Sequence, residues 1–211
     1  MTTQQKFSII GPGVMAEAMV IGLIEHQVVQ PGNIIAAGPR QARLDELADR
    51  YKINTNLDNA AAVQNADVVI LCIKPQKLSE VSRDLRGKIP EKALLISIIA
   101  GATIESLTSG LKHPNVVRAM PNTPAQIGEG MTVWTQSPQT SEGQHALAKE
   151  ILAALGREIY VDEQSYIDMA TAVSGTGPAY VFLFLESLID AGVHLGLPRR
   201  IAEEMVVETI K

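Results

Sequence analysis

Over the first two-thirds of the chain, short runs of β-branched and aliphatic residues alternate with segments of helical apolar spacing. Residues 7–10 (Phe-Ser-Ile-Ile) read as a strand and 14–25 as a helix, then 33–37 as a strand and 40–50 as a helix. Further strands are expected at 68–73, 93–99 and 116–120, with helical or loop segments between them. Strands this continuously apolar are buried on both faces, so the rhythm predicts a parallel sheet covered by helices on each side. Ser141-x-x-Gln144 has the form of a capping box and opens a helix to about residue 155, and 157–161 is the strand that closes this domain.

Beyond Asp162 the pattern changes to two helices. The first starts near Pro178 and runs Tyr180-Val181-Phe182-Leu183-Phe184-Leu185, with Glu186 and Asp190 its only charges before Gly192. Apolar all round, it belongs inside a bundle. The second begins at Leu197-Pro198-Arg199-Arg200, and its apolar residues Ile201, Met205, Val206 and Ile210 share one face. Two helices cannot cover an all-apolar one, and no residue caps the second before Lys211. The expectation is therefore a shortened chain whose apolar helices meet another subunit. The fold class is α/β: a parallel-sheet domain over 1–162, then a smaller, incomplete all-helical domain over 163–211.

Composition narrows the partners. The 211 residues are 46% hydrophobic and 19% charged, with a formal net charge of −5, so a basic footprint for nucleic acid is missing. Cys72 is the only cysteine and sits in an apolar strand, which makes it a core thiol. His26, His113, His145 and His194 lack metal-ligand spacing. No run of about 20 apolar residues is evident, and the polar start Met1–Lys6 has no secretory character, so neither membrane insertion nor export is expected and the default is cytoplasmic.

The chemistry starts at Gly11-Pro12-Gly13-Val14-Met15-Ala16, a G-x-G-x-x-A segment between a strand and a helix. Gly11 permits a tight turn, Gly13 lets backbone approach a pyrophosphate, and Ala16 lets helix pack on strand. The helix N-terminus offers amides and partial positive charge to the phosphates. The second strand ends Ala36-Ala37-Gly38-Pro39-Arg40, where an NAD site would carry an acid, and no acid lies between His26 and Leu44. Arg40 and Arg43 stand where a 2′-phosphate would lie, which favours NADP(H). Cys72-Ile73-Lys74-Pro75 and Ser97-Ile98-Ile99-Ala100-Gly101 are strand ends placed to complete the cleft. Ser174-Gly175-Thr176-Gly177-Pro178 opens the long helix and reads as an anion site for a carboxylate, with its amides and hydroxyls as donors. Asn122 and Thr123 form a rigid loop near the cleft mouth and receive no chemical role.

Several of these segments together, with Val117-Arg118-Ala119-Met120-Pro121-Asn122-Thr123-Pro124, Gly128-Glu129-Gly130, Val173-Ser174-Gly175-Thr176-Gly177-Pro178-Ala179-Tyr180 and Leu195-Gly196-Leu197-Pro198, resemble the pyrroline-5-carboxylate reductase family in order and spacing. The resemblance implies NADPH-dependent hydride transfer to the C=N of a small cyclic imino acid, giving L-proline. It also implies that 1–162 is a Rossmann-type dinucleotide-binding domain and 163–211 a dimerisation domain, with a homo-oligomer built through the C-terminal helices. It places NADP(H) against Ile10, Gly11, Pro12, Gly13, Val14 and Met15 and against Cys72, Ile73, Lys74 and Pro75. Asn59 would lie near the adenosine, and Ala100 and Gly101 near the nicotinamide. Family members usually continue into further helices and a Ser-Pro-Gly-Gly-Thr-type substrate segment, which this sequence lacks. An imine can arrive protonated, so no catalytic acid or base is assigned. Two other readings remain: a related imine or β-hydroxyacid dehydrogenase, and a non-catalytic NADPH-binding regulatory protein.

Overall fold

The computed structural model describes residues 4–211. Met1, Thr2 and Thr3, part of the polar start read as no export signal, lie outside the described residues. One eight-stranded sheet has the order β3-β2-β1-β4-β5-β6-β7-β8. Its strands are β1 (Phe7–Ile10), β2 (Ile34–Ala37), β3 (Asn54–Asn56), β4 (Val68–Leu71), β5 (Leu94–Ser97), β6 (Val116–Met120), β7 (Gly130–Gln136) and β8 (Gly156–Tyr160). Helices α1 (Val14–Glu25), α2 (Gln41–Tyr51) and α6 (Glu142–Ala153) put Met19, Leu23, Leu44, Leu47, Ile151 and Leu152 into one core with Phe7, Ile9, Ile70 and Ile96. The opposite core joins α3 (Asn59–Val63), α4 (Leu78–Leu85) and α5 (Ile104–Leu111) to Ile10, Val69, Leu71 and Leu95. Alternate residues of each strand feed the two layers, which is why these strands carry no polar alternation.

The expectation of a parallel sheet needs correction. The first six strands pair in parallel, but β7 runs antiparallel to β6, with Val117 opposite Gln136, and β8 then lies parallel to β7. β7 and the polar edge strand β3 were absent from the sequence pattern. The expected strands at 68–73 and 93–99 are shorter, because Cys72–Ile73 and Ile98–Ile99 leave the ladder to form the sheet's carboxyl edge. At the far edge Trp134 is fully buried and donates from Nε1 to Glu158 Oε2 at 2.5 Å, with the His145 and Tyr160 rings each 4.9 Å from its own. The Ser141–Gln144 capping box forms as read.

His113, between α5 and β6, is buried and donates from Nε2 to the Ala93 carbonyl at 2.8 Å. Burial pushes its pKa down, against the opposite pull of that bond. A histidine held neutral contributes stability that is present above its unfolded pKa of about 6.5 and lost as pH falls towards the lowered folded value. Urea melts of the wild type should therefore lose midpoint between pH 7 and pH 5 more steeply than those of His113→Gln; equal slopes would contradict this.

After β8 come α7 (Ser165–Ala170), a π-helical turn (Thr171–Gly175), α8 (Gly177–His194) and α9 (Arg199–Ile210). The sequence pattern missed α7 and the π turn, while the helix it starts near Pro178 is α8, which begins at Gly177 with Pro178 in its first turn. Together Ser165–His194 make one helical run of 30 residues, and an 18-residue stretch of it has mean hydropathy 1.3, long and apolar enough by length and composition to cross a membrane. That corrects the expectation that no such segment exists. The π turn joins α7 to α8, and Pro178 falls in the first turn of α8, where its missing N–H breaks no intrahelical bond. Along α8, consecutive side chains from Tyr180 to Phe184 are exposed, Phe182 at 65% and Leu183 at 64%.

Candidate active site

The sheet order reverses direction between β1 and β4, and their carboxyl ends open a crevice of the kind in which open α/β sheets bind ligands. Gly11 leaves β1 with φ +95°, and its N–H donates to the Ala37 carbonyl at 2.9 Å. A Cβ there would lie 2.6 Å from Ile73 Cγ2 and 2.8 Å from the Cys72 carbonyl oxygen. At Gly13 a Cβ would meet nothing closer than 4.0 Å, so that backbone face is open to approach. The first intrahelical bond of α1 is Glu17 N–H to the Gly13 carbonyl, which leaves the amides of Val14, Met15 and Ala16 directed out of the helix start. Ala16 is fully buried and seats α1 on the sheet. At Gly38 a Cβ would stand 2.4 Å from Pro12 Cδ, so the end of β2 packs directly on the turn.

Ile10, Gly11, Gly38, Asn59 and Ile73 line one cleft of about 220 Å³, together with Leu57 and Lys77, which the sequence reading did not single out. Asn59 Oδ1 is buried there without a hydrogen-bond partner, an acceptor that a ligand hydroxyl or amine would satisfy. That orphaned oxygen and the open Gly13 backbone fit a dinucleotide. Lys74 and Pro75 are exposed at the rim, and Ala100 and Gly101 are exposed just beyond β5. Burial pushes the Cys72 thiol up to about 12, so it stays protonated and acts as a packing group.

The two arginines separate. Arg40, exposed at the N-cap of α2, donates from Nη2 to the Pro12 carbonyl at 3.2 Å. Arg43 also reaches Pro12, but its guanidinium is tied to Glu17 and to Glu46. Glu17 further accepts from Arg50 and from the Tyr51 hydroxyl, each at 2.6 Å. Burial pushes the Glu17 carboxyl up, but the Tyr51 and Arg43 bonds outweigh it and hold it below the usual range. Arg43 is therefore tied into an ion-pair network, whereas Arg40 stands exposed beside the turn.

Ser174–Gly177 lies at the end of β6, in a different place from the glycine turn. The two clefts share no lining residue. Ser174 and Gly177 line an open, mostly apolar groove of about 430 Å³ with Asn122, Pro124, Pro178, Val181 and Phe182. A Cβ on Gly175 would fall 2.9 Å from Met120 Cε, so the turn rests on the last residue of β6. The segment opens α8 with Thr176 at its N-cap, but the donors of Thr176 itself are engaged in the π turn. Both the N–H and the hydroxyl of Thr176 donate to the Thr171 carbonyl at 2.9 Å, closing the π turn. Asn122, which has no chemical role on sequence grounds, donates from Nδ2 to the Ser174 carbonyl at 3.4 Å and accepts from Met131 N–H at 2.8 Å. Tyr180 supports the same turn through its hydroxyl, 3.2 Å from the Ala172 carbonyl. Among the described residues, no group of His, Cys, Asp and Glu side chains is arranged to hold a metal ion.

Comparison with known proteins covers both parts of the chain. Residues 6–101 match the family described as NADP oxidoreductase coenzyme F420-dependent, and 164–211 match the family described as pyrroline-5-carboxylate reductase dimerisation. A pyrroline-5-carboxylate reductase of Synechocystis is 40% identical over 205 residues, covering 97% of this chain and 76% of the relative. The solved pyrroline-5-carboxylate reductase of Coxiella burnetii superposes with TM-score 0.91 at 34% identity, covering 99% of this chain and 77% of that one. The Plasmodium falciparum pyrroline carboxylate reductase, solved with NADP bound, gives 0.88 at 29% identity, covering 100% and 77%. With sequence similarity running across the glycine turn, both strand ends and the helical run alike, this chain belongs to the pyrroline-5-carboxylate reductase family.

Proposed function

We propose that this protein is a pyrroline-5-carboxylate reductase, an NADP-dependent oxidoreductase that reduces the C=N bond of 1-pyrroline-5-carboxylate to L-proline, the last step of proline biosynthesis. In this reading residues 1–162 bind the cofactor, residues 163–211 bind substrate and a second copy of the chain, and the protein works in the cytoplasm. The turn from Ile10 to Met15 holds the pyrophosphate on its amides, Gly38 and Arg40 meet the 2′-phosphate side, and Asn59 meets the adenosine. Cys72, Ile73, Lys74 and Pro75 form one wall, while Ala100 and Gly101 face the nicotinamide. When bound, the cofactor supplies a hydride from C4 of its dihydronicotinamide.

The observation that carries the substrate assignment is the groove at Ser174–Gly177. Its lining residues Asn122, Pro124, Ser174, Gly177, Pro178, Val181 and Phe182 include no group that titrates near neutrality. A cyclic imine arrives protonated on nitrogen and needs position and an apolar wall rather than a protein acid. Ser174 and Gly177 present the polar edge of the groove to the substrate carboxylate, and Gly175 and Thr176 shape the turn behind them.

Steady-state assays of purified protein test this. The reading predicts NADPH oxidation with pyrroline-5-carboxylate and none of the reverse reaction with NADP⁺ and β-hydroxy acids. Turnover with hydroxy acids alone would contradict it, and NADPH binding without any turnover would point to a non-catalytic protein. Arg40→Ala should lower the preference for NADPH over NADH by roughly tenfold, the size of one lost charge-assisted hydrogen bond. An unchanged preference would remove Arg40 from the phosphate site.

A further inference from the structure

β6 carries a charge in the wrong place for a strand. Arg118 sits in Val116-Val117-Arg118-Ala119-Met120 and is only 2% exposed, paired in the sheet with Ser97 on one side and Thr135 on the other. A buried guanidinium is costly unless paired. Its Nη2 donates to Asp168 Oδ1 at 2.5 Å and its Nη1 reaches the Gln164 carbonyl at 3.5 Å, while Nε has no partner. Both acceptors lie at the start of the run that carries Ser174–Gly177. Gln164 makes a second tie: its Oε1 accepts from Ile104 N–H at 3.2 Å, and its Nε2 donates to both Glu105 carboxylate oxygens at 2.9 Å. Ile104 and Glu105 open α5, directly after the Ala100–Gly101 strand end.

We infer that Arg118 is a positioning residue for substrate: with Asp168 and Gln164 it latches the foot of α7 to β6 and α5, and so fixes the distance between the Ser174–Gly177 groove and the nicotinamide end of the cofactor cleft. The inference deepens the proposed function and rests on it. Beside the latch, the Asn122 bond and the Met120 contact hold the turn against the sheet, and the buried Ile167 anchors α7. A charge fully inside the sheet gives this junction one arrangement, because sliding α7 by a turn would strand the guanidinium without its carboxylate.

Asp168 is 63% exposed, so Asp168→Ala leaves no cavity and the protein should fold. Hydrogen exchange of Asp168→Ala should show faster exchange at residues 171–177 with β1 to β5 unchanged. KM for pyrroline-5-carboxylate should rise about tenfold, within the range spanned by residues coupled in one network, while NADPH affinity stays at the wild-type value. Asp168→Asn, which keeps an acceptor for Arg118, should recover part of the loss. Unchanged exchange at 171–177 would overturn the latch, and faster exchange with an unchanged KM would overturn its positioning role. If wild-type protein failed to turn over at all, the functional reading would fall, and the exchange comparison would still decide the latch.

Discussion

Gly11→Ala should weaken NADPH binding by about a hundredfold and lower the melting temperature at the same time. The residue sits at φ +95°, a conformation that costs an L-residue about 1–2 kcal/mol before any contact is considered. The new Cβ would also press on Ile73 Cγ2 at 2.6 Å and on the Cys72 carbonyl oxygen at 2.8 Å. One of these is backbone of the neighbouring strand end and cannot swing away as a flexible side chain would. Strain plus displacement comes to about 3 kcal/mol, or two decades in affinity if the turn moves to relieve it. Gly13→Ala is the informative partner. Its φ is −94° and its Cβ would meet nothing within 4.0 Å, so folding should be unaffected. The methyl would occupy the face through which the pyrophosphate approaches, so NADPH affinity should fall while the melting temperature holds. Fluorescence titration of NADPH alongside thermal melts of both variants checks this. Wild-type affinity in Gly13→Ala would mean that the phosphates lie elsewhere.

Leu183→Glu should convert a homo-oligomer into monomers. Tyr180 to Phe184 is a run of five consecutive exposed apolar side chains, and Leu188, Val193, Leu195 and Leu197 extend it. Such a surface is larger and more continuous than a monomer normally leaves in water, and a helix apolar all round is a buried helix. Residues 164–211 match a dimerisation family, which supports oligomerisation, and a second copy over α8 is the arrangement this substitution tests. A carboxylate forced into this contact has no cation nearby on α8, and its desolvation costs several kcal/mol per subunit. Leu183 does not line the groove at Ser174, so the substitution acts on assembly first. Sedimentation at micromolar concentration should show an oligomer for the wild type and a monomer for Leu183→Glu, with NADPH binding retained. An unchanged oligomer would place the interface elsewhere.

How much was legible in the sequence follows from how local each signal is. The glycine turn, β1, α1, β4 and the capping box at Ser141 are set by residues within a few positions of one another, and they formed where their spacing put them. β3 was not legible because Asn54-Thr55-Asn56 is a polar edge strand, defined only by its pairing with β2. β7 was missed because its antiparallel return depends on how residues 121–129 fold as a turn, and those residues looked like a loop at a cleft mouth. Pro178 marked the start of α8, which its ring geometry fixes locally. The π turn before it was not legible, nor was the bond from Asn122, 52 residues earlier, to the Ser174 carbonyl. Arg118, a charge inside an apolar strand, received no role from its local pattern. Its meaning depends on Asp168, fifty residues later, and on α7, which has no pattern of its own. Arg43 shows the converse: its position suggested a phosphate, but Glu17 had already claimed it.

The most direct test of the account is the fate of one hydride. NADPH carrying deuterium at the transferred C4 position is incubated with the protein and pyrroline-5-carboxylate, and the product is examined by mass spectrometry and NMR. The account predicts proline one mass unit heavier, with the deuterium on the ring carbon that formed the C=N bond and none exchanged with solvent. Oxidation of the cofactor without label in proline, or no oxidation while NADPH is bound, would contradict it.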